Sequence, residues 1–216
     1  MFSALLNVGA SAPVVERVFY GASVQLSLLA AEARAPCPGD LAGLLCGPGQ
    51  IVRFGRGDTA RLSIVLPDPA RAAVIVATCR AVGVDADLAV TDSGGTVVRT
   101  PFCRDLVELA AAWTRGAVKA VPPGMHIDGA MLRVWMAAVG RWNGREVELA
   151  LDAHAPQTHR PLVAALTRAG IPPARTARGA ALRIGGARRV RWFAELVGTS
   201  PTAMPAGEWP ESTRWR

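Results

Sequence analysis

The chain lacks a long hydrophobic run, a metal-binding cysteine pattern and nearly all lysine. No stretch of about 18 uncharged apolar residues occurs, so a membrane span is not expected. The apolar N-terminal stretch 18–31 is too short to cross a bilayer and predicts a docked helix. The cysteines include no Cys-x-x-Cys pair, which predicts buried, reduced thiols in a cytoplasmic protein. They are Cys37, Cys46, Cys79 and Cys103. Neither they nor the histidines predict a metal site, and no cofactor is expected.

Positive charge is carried almost entirely by arginine, because Lys119 is the only lysine. The net charge is +7 and is unevenly distributed. Residues 1–140 contain 12 basic and 11 acidic side chains, whereas residues 141–216 contain 12 and 6. A basic second half predicts an anionic partner, of which nucleic acid is the commonest kind. The alternative is a protein in which arginine replaces lysine over the whole surface, and charge alone leaves both interpretations open.

The sequence resembles itself at a spacing of 87 residues. Leu62 corresponds to Leu149, and Gly83 corresponds to Gly170. In each copy an alternating apolar segment leads to a helix-like run that ends in glycine. A repeat of this length is too long for a solenoid unit, so it predicts two half-domains related by pseudo-twofold symmetry.

The predicted fold class is α+β, with helices on one face of antiparallel sheets. The order helix, strand, strand, helix, strand, strand, helix occurs twice, and the first hairpin of the second copy looks shortened. The predicted divisions are an N-terminal helical segment 1–36, a first half 37–115, a linker 116–126, a second half 127–198 and an irregular, potentially disordered tail 199–216.

Two short apolar helices are expected at equivalent places in the two copies. Asp40 would cap the first helix, at residues 41–46, and Asp128 would cap the second, at residues 130–139. Small side chains in both helices, among them Gly43, would let the helices cross closely at the pseudo-twofold axis.

The first of these helices begins with Leu41-Ala42-Gly43-Leu44-Leu45, a partial match to the LAGLIDADG motif, and residues 132–140 stand at the equivalent place in the second copy. The chain resembles the two-motif LAGLIDADG fold. Within that fold it most resembles the degenerate module at the front of WhiA-type bacterial regulators of sporulation and division. The similarity covers roughly residues 20–200 and includes Val121-Pro122-Pro123 and the run 161–171.

The resemblance implies DNA-associated transcriptional regulation without catalysis. In LAGLIDADG endonucleases, a carboxylate at the end of each motif helix holds divalent metal for phosphodiester cleavage. The corresponding ends here are Cys46-Gly47 and Val139-Gly140, which carry no acid. Nuclease activity is therefore not expected. WhiA-type regulators normally also carry a C-terminal helix-turn-helix domain, which the 16 residues after Ser200 would not provide.

The open faces of the predicted sheets should be mixed in charge, because strand alternation directs one set of side chains toward the helices. That set is Leu62, Ile64, Leu66, Val84, Ala86, Leu88, Val147, Leu149 and Leu151. The alternation leaves four acids outward: Asp85, Asp87, Glu146 and Glu148. The arginines that would offset them are Arg53, Arg61, Arg99, Arg175, Arg178 and Arg183.

Candidate nucleic-acid contacts are arginines of the sheets and of the last helix. They are Arg53, Arg61, Arg175, Arg178, Arg183, Arg188, Arg189 and Arg191. For the run 188–191, a solvated helix face is as good an interpretation as a phosphate contact. Two functions remain: a non-catalytic regulator associated with duplex DNA, and a protein-interaction module. The module would dock a helix-turn-helix or transcription-machinery partner through an acidic saddle.

Overall fold

A computed structural model describes residues 30–66, 68–91, 94–176 and 180–211. The helix expected over residues 18–31 lies almost wholly outside these ranges. At its end the chain forms a short 3-10 helix, Ala31–Ala33, and then runs extended. Among the described residues, no helix is long and apolar enough to cross a membrane.

The first half forms a four-stranded antiparallel sheet with helices packed on one face. Its elements are α1 (Ala42–Cys46), β1 (Gln50–Phe54), β2 (Thr59–Leu66), α2 (Pro69–Ala81), β3 (Asp87–Val90), β4 (Thr96–Arg99) and α3 (Val107–Trp113). The strand order is β1-β2-β4-β3. Asp68 begins α2 by accepting a 2.8 Å hydrogen bond from the Ala70 amide, and Pro69 is compatible with the first helical position.

The second half repeats this architecture. A two-stranded hairpin, β5 (Thr114–Arg115) and β6 (Val118–Lys119), precedes it. Its elements are α4 (Gly129–Val139), β7 (Gly140–Trp142), β8 (Val147–Ala150), α5 (His159–Arg168), β9 (Ala174–Arg175), β10 (Ala181–Ile184) and α6 (Ala187–Val197). The strand order is β7-β8-β10-β9, the same as in the first sheet. The predicted α+β duplication is therefore confirmed.

The first hairpin of the second copy is shortened, as predicted, since β7 and β8 contain three and four residues against five and eight in β1 and β2. Its first strand, β7, was not predicted; it starts directly at the end of α4 and pairs with β8 through Gly140 and Leu149. The sequence hid this strand because it contains only three residues. The predicted linker 116–126 contains the strand Val118–Lys119, and Lys119 is buried.

The two motif helices α1 and α4 pack against each other, as predicted. A Cβ atom added to Gly43 would stand 2.2 Å from the Met131 carbonyl oxygen and 2.8 Å from the Val134 Cβ. Only glycine permits this approach. Asp128 caps α4 by accepting a hydrogen bond from the Met131 amide at 2.9 Å.

The prediction that Asp40 caps the motif helix α1 is wrong. Asp40 lies within a 3-10 helix, Pro38–Leu41, that precedes α1. Its carboxylate accepts from the Cys37 amide and from Arg34, which also pairs with Asp128. The aspartate therefore caps the 3-10 turn, and Arg34 connects the starts of the two motif helices.

Strand alternation places the core as expected, with one exception. Val147, Leu149 and their counterparts in β2 are buried beneath the helices. Leu88, however, is 53% exposed. It pairs with buried Val98 and so faces the helix side, but β3 is the edge strand of the sheet and has a neighbouring strand on one side only.

The cysteine prediction holds for two of the four thiols. Cys46 and Cys79 are buried and free, whereas Cys37 is exposed and Cys103 is partly exposed. Burial raises the pKa of Cys79 to about 11, and it raises the pKa of Cys46 further. Both buried thiols therefore remain protonated at neutral pH.

The described part of the tail, residues 199–211, packs against the rest of the fold. Residues 199–211 contain no helix or strand, yet Met204 and Trp209 are buried. The Trp209 indole donates to the Gly198 carbonyl at 2.9 Å, and Arg133 lies over its ring. No periodic pattern predicts this packing, because it depends on isolated side chains.

Candidate nucleic-acid interface and the ends of the motif helices

The carboxyl-terminal end of α1 is occupied by a buried cation. The Lys119 ammonium donates to the Gly47 carbonyl at 2.6 Å and to the Gly49 carbonyl at 2.8 Å. It also forms an ion pair with Asp152 at 3.0 Å. Lys119 is 7% exposed and Asp152 is 1% exposed, so the pair is shielded from water. A cation is favoured at this position because the carbonyls of a helix end are electronegative.

Further hydrogen bonds complete the surroundings of Asp152. Its carboxylate accepts from the Gln50 amide group at 2.6 Å and from the His154 backbone amide at 2.9 Å. Burial alone would raise the pKa of Asp152, but these bonds and the Lys119 charge outweigh it, so the pKa lies below its usual value. Burial lowers the pKa of Lys119, against the opposing effect of Asp152. The pair joins the linker to both halves of the fold.

The carboxyl-terminal end of α4 is also occupied by a buried cation. The Arg71 guanidinium donates to the Met136 carbonyl at 3.2 Å and to the Ala137 carbonyl at 3.0 Å. Its other terminal nitrogen donates to Glu208 of the tail at 2.6 Å. Each motif helix therefore ends against a basic side chain. Neither helix ends against an acidic one.

These residues do not fit a divalent cation. Hard cations need several oxygen ligands converging on one point, usually including carboxylates. Among the described residues, no group of three or more His, Cys, Asp or Glu side chains converges in this way. The carbonyls at each helix end already accept from Lys119 or Arg71. An added cation would be repelled by these charges.

A cleft of about 830 Å³ opens beside the end of α4, between the two halves. Its walls include Val65 of β2, Trp142 of β7 and Glu148 of β8. Arg71 and Glu208 also line it, so the tail contributes to its surface.

The open face of the second sheet carries alternating charges. Glu148 on β8 lies opposite Arg141 on β7 and opposite Arg183 on β10. Arg183 also forms a 3.7 Å ion pair with Glu146. Each of these acids therefore has an arginine beside it. The saddle is mixed in sign, as predicted, and the two acids of this sheet do not form a separate acidic surface.

The open face of the first sheet combines arginines with apolar side chains. Arg99 lies between Ser63 and Asp87 on the neighbouring strands. Arg61 lies opposite Val52. The exposed apolar residues of this face are Val52, Phe54 and Val65.

The remaining candidate arginines do not share this surface. Arg53 pairs with buried Ala60, and Arg175 pairs with buried Leu182, so the register places both on the helix side. The prediction that both lie on the open face is wrong, because in each strand the neighbouring residues, not these arginines, face outward. Arg175 lies 3.3 Å from the His159 ring nitrogen. Arg178 lies outside the described residues.

The basic run on α6 is exposed, on the outer side of that helix. The inner side of α6 packs into the core through Val190 and Phe193. Arg189 donates to the Pro172 carbonyl at 3.0 Å, and Arg191 lies 3.5 Å from Glu195. Arg188 is exposed at the first turn. Because α6 belongs to the helix layer, this run is separated from Arg61 and Arg183 by the sheets.

The sequence patterns did not predict the buried polar residues Lys119, Asp152 and Arg71, nor the position of Arg141 on the second sheet. One signal was available for Lys119, because it is the only lysine in a chain that otherwise uses arginine. Arg71 gave no signal, since it stands in an alanine- and valine-rich helix like any solvated arginine. Arg141 belongs to the strand that was not predicted.

Comparison with known structures identifies the fold. No protein-family model matches the chain, and no curated protein matches its sequence. The homing endonuclease I-WcaI bound to its DNA recognition sequence matches with a TM-score of 0.54 and 14% identity, over 74% of this chain and 79% of that chain. The N-terminal LAGLIDADG domain of DUF199/WhiA matches with a TM-score of 0.50 and 13% identity, over 75% of this chain and 82% of that chain.

Full-length DUF199/WhiA from Thermatoga maritima matches with a TM-score of 0.49 and 12% identity. That match covers 76% of this chain and 56% of the longer one. The resemblance inferred from the motif and the repeat is confirmed at the level of architecture: this chain has a LAGLIDADG-like fold.

Proposed function

We propose that this protein is a non-catalytic LAGLIDADG-like module that associates with duplex DNA in transcriptional regulation, in processes of the sporulation and division type. The observation that carries the proposal is the pair of buried cations, Lys119 and Arg71, at the ends of the two motif helices. The fold supports DNA association because one structure that shares it is bound to its DNA recognition sequence.

The chemistry of the helix ends supports the proposed absence of catalysis. Metal-dependent phosphodiester cleavage needs cations held by carboxylates close to the scissile phosphate. Here Val139 and Gly47 stand at the helix ends, and the nearby carbonyls accept hydrogen bonds from Arg71 and Lys119. The ammonium and guanidinium groups supply the positive charge that a metal would otherwise supply, but they activate no water.

DNA association is assigned mainly to arginines of the second half. Residues 141–216 carry 12 basic and 6 acidic side chains, whereas the first 140 residues are nearly neutral. The exposed run Arg188, Arg189 and Arg191 provides three guanidinium groups within one helical turn. Each guanidinium that neutralises a phosphate releases counterions and makes the binding constant depend more steeply on salt concentration.

The test measures binding of the full chain to a fluorescein-labelled DNA duplex by fluorescence anisotropy at several salt concentrations. Replacing Arg188, Arg189 and Arg191 together by Ser should lower the salt slope by up to about three. A charge-matched control replaces the exposed residues Arg80, Arg104 and Arg160 by Ser. The control should bind like the parent protein.

Two results would overturn this assignment. If the Arg188, Arg189 and Arg191 variant binds as tightly as the parent at every salt concentration, the run is only a solvated helix face. If the pure protein cleaves DNA with Mg²⁺ or Mn²⁺, and a substitution beside Gly47 or Val139 abolishes the cleavage, the non-catalytic proposal fails.

A further inference from the structure

Two aromatic rings and a guanidinium form a partly exposed cluster on the open face of the first sheet. Phe54 is 64% exposed, and its ring centroid lies 5.1 Å from that of Phe102. The Arg61 guanidinium carbon lies 4.3 Å from the centroid of Phe102. Val52 lies opposite Arg61 and is also exposed. We call Val52, Phe54, Arg61 and Phe102 the Phe54 platform.

The platform is held on rigid elements. Val52 and Phe54 belong to β1, and Arg61 belongs to β2, which pair in one antiparallel ladder. Phe102 is fixed beside them because the next residue, Cys103, exchanges two 2.9 Å backbone hydrogen bonds with Ala60. The rings are therefore positioned by backbone pairing: Phe54 is exposed, and Phe102 is half-buried beside it under the Arg61 guanidinium.

The charge around the platform is positive. Arg56 in the turn between β1 and β2 and Arg99 on the open face are exposed and join Arg61, against Asp58 of that turn and Asp87. Arg61 makes a cation–π contact with Phe102, so its guanidinium plane is available beside an aromatic ring. An anionic partner with flat aromatic groups matches both features.

We propose that the Phe54 platform binds single-stranded nucleic acid by stacking unpaired bases on Phe54 and Arg61. Aromatic rings interleaved with arginine are the means by which proteins hold single strands, because every base has a face that stacks and a phosphate that attracts a cation. A duplex hides its base faces within the stack. The platform therefore goes beyond the proposed duplex association and is independent of it.

The experiment compares binding of the full chain to labelled oligo(dT) and to a duplex, by fluorescence anisotropy at low salt. The oligonucleotide should be about 20 nucleotides long, because known sites cover about 4–16 nucleotides. Phe54→Ala should weaken oligo(dT) binding about 5- to 150-fold, the range measured for losing one base–aromatic stack, and should leave duplex binding within twofold. Phe54→Tyr keeps the ring and should bind like the parent.

Val90→Ala is the matched control, because Val90 is 77% exposed but lies outside the platform on β3. It should leave both affinities unchanged. Circular dichroism and thermal melting of each variant verify the fold, which truncation of an exposed side chain should preserve.

Three outcomes would overturn the proposal. The first is that the parent protein does not bind oligo(dT) at low salt. The second is that Phe54→Ala binds oligo(dT) as tightly as the parent. The third is that Phe54→Ala weakens duplex binding as much as oligo(dT) binding, which would place the platform in the duplex interface. If the parent protein does not bind oligo(dT) but self-associates, and Phe54→Ala abolishes the self-association, the platform is a protein interface instead. Failure of duplex binding alone affects only the proposed function.

Discussion

Replacing Lys119 by Met tests the buried pair that joins the two halves. Methionine fills a similar volume but leaves Asp152 buried without its cation and leaves the Gly47 and Gly49 carbonyls without their donor. Removing one partner of a buried ion pair typically lowers the free energy of unfolding by about 3–5 kcal/mol. For a chain of this size, that loss lowers the melting temperature by about 6–20 °C.

The pH dependence of this loss identifies its cause. In the parent, the pKa of Asp152 is lowered, so its contribution to stability is present above the unfolded-state pKa, about 3.9, and is lost as pH falls through the lowered value. In Lys119→Met, the charge and hydrogen bond of Lys119 are lost and only the hydrogen bonds from Gln50 and His154 still oppose burial, so the pKa of Asp152 is higher than in the parent. The folded variant then takes up a proton at a higher pH than the folded parent does, and the destabilisation should be smaller at pH 5 than at pH 7.

Urea denaturation followed by circular dichroism at both pH values measures these differences. The double variant Lys119→Met, Asp152→Leu should recover most of the loss, because it leaves no unpaired charge in the interior. Arg80→Met, which removes an exposed arginine, should change stability by less than about 0.5 kcal/mol. A loss below about 1 kcal/mol for Lys119→Met, or an equal loss at both pH values, would refute this account of the pair.

Two further predictions concern the motif helices. Gly43→Ala should lower the free energy of unfolding by about 1–3 kcal/mol, because the new Cβ would overlap the Met131 carbonyl. The control Gly39→Ala, whose Cβ would lie 3.6 Å from its nearest neighbour, should lower the free energy of unfolding less. Urea denaturation compares the two variants, and equal losses would contradict the close helix contact. Arg71→Met should lower the free energy of unfolding by about 1.5–3 kcal/mol and speed proteolysis within residues 199–211, since Glu208 loses its partner. Unchanged proteolysis would show that Glu208 does not hold the tail.

The architecture was predictable because its signals are periodic and occur twice. The alternation around Leu62 and Leu149 identified the buried faces of β2 and β8, and the motif at Leu41-Ala42-Gly43-Leu44-Leu45 identified the crossing helices. Short elements escaped prediction because a strand of three residues, such as β7, has no measurable period. Missing β7 also concealed Arg141, the cross-strand neighbour of Glu148.

The buried polar residues were not predictable from local sequence. Lys119 and Asp152 are 33 residues apart, and Arg71 and Glu208 are 137 residues apart. Their partners are set by tertiary packing, and a charged side chain in isolation predicts solvent exposure. Similarly, Phe54 follows Val52 in an ordinary strand pattern, and only the register shows that both face outward.

Carbonyl groups at the ends of α1 and α4 accept hydrogen bonds from two different basic side chains. A helix terminus leaves several carbonyls without intrahelical donors, and a divalent cation between two such ends would satisfy both at once. In this chain, Lys119 reaches one end from the hairpin before α4, while Arg71 reaches the other from α2. Lys119 and Arg71 are not related by the pseudo-twofold symmetry, although the two helices are. Restoring carboxylates at the helix ends would therefore not recreate a metal site, because each new acid would pair with the basic side chain already there.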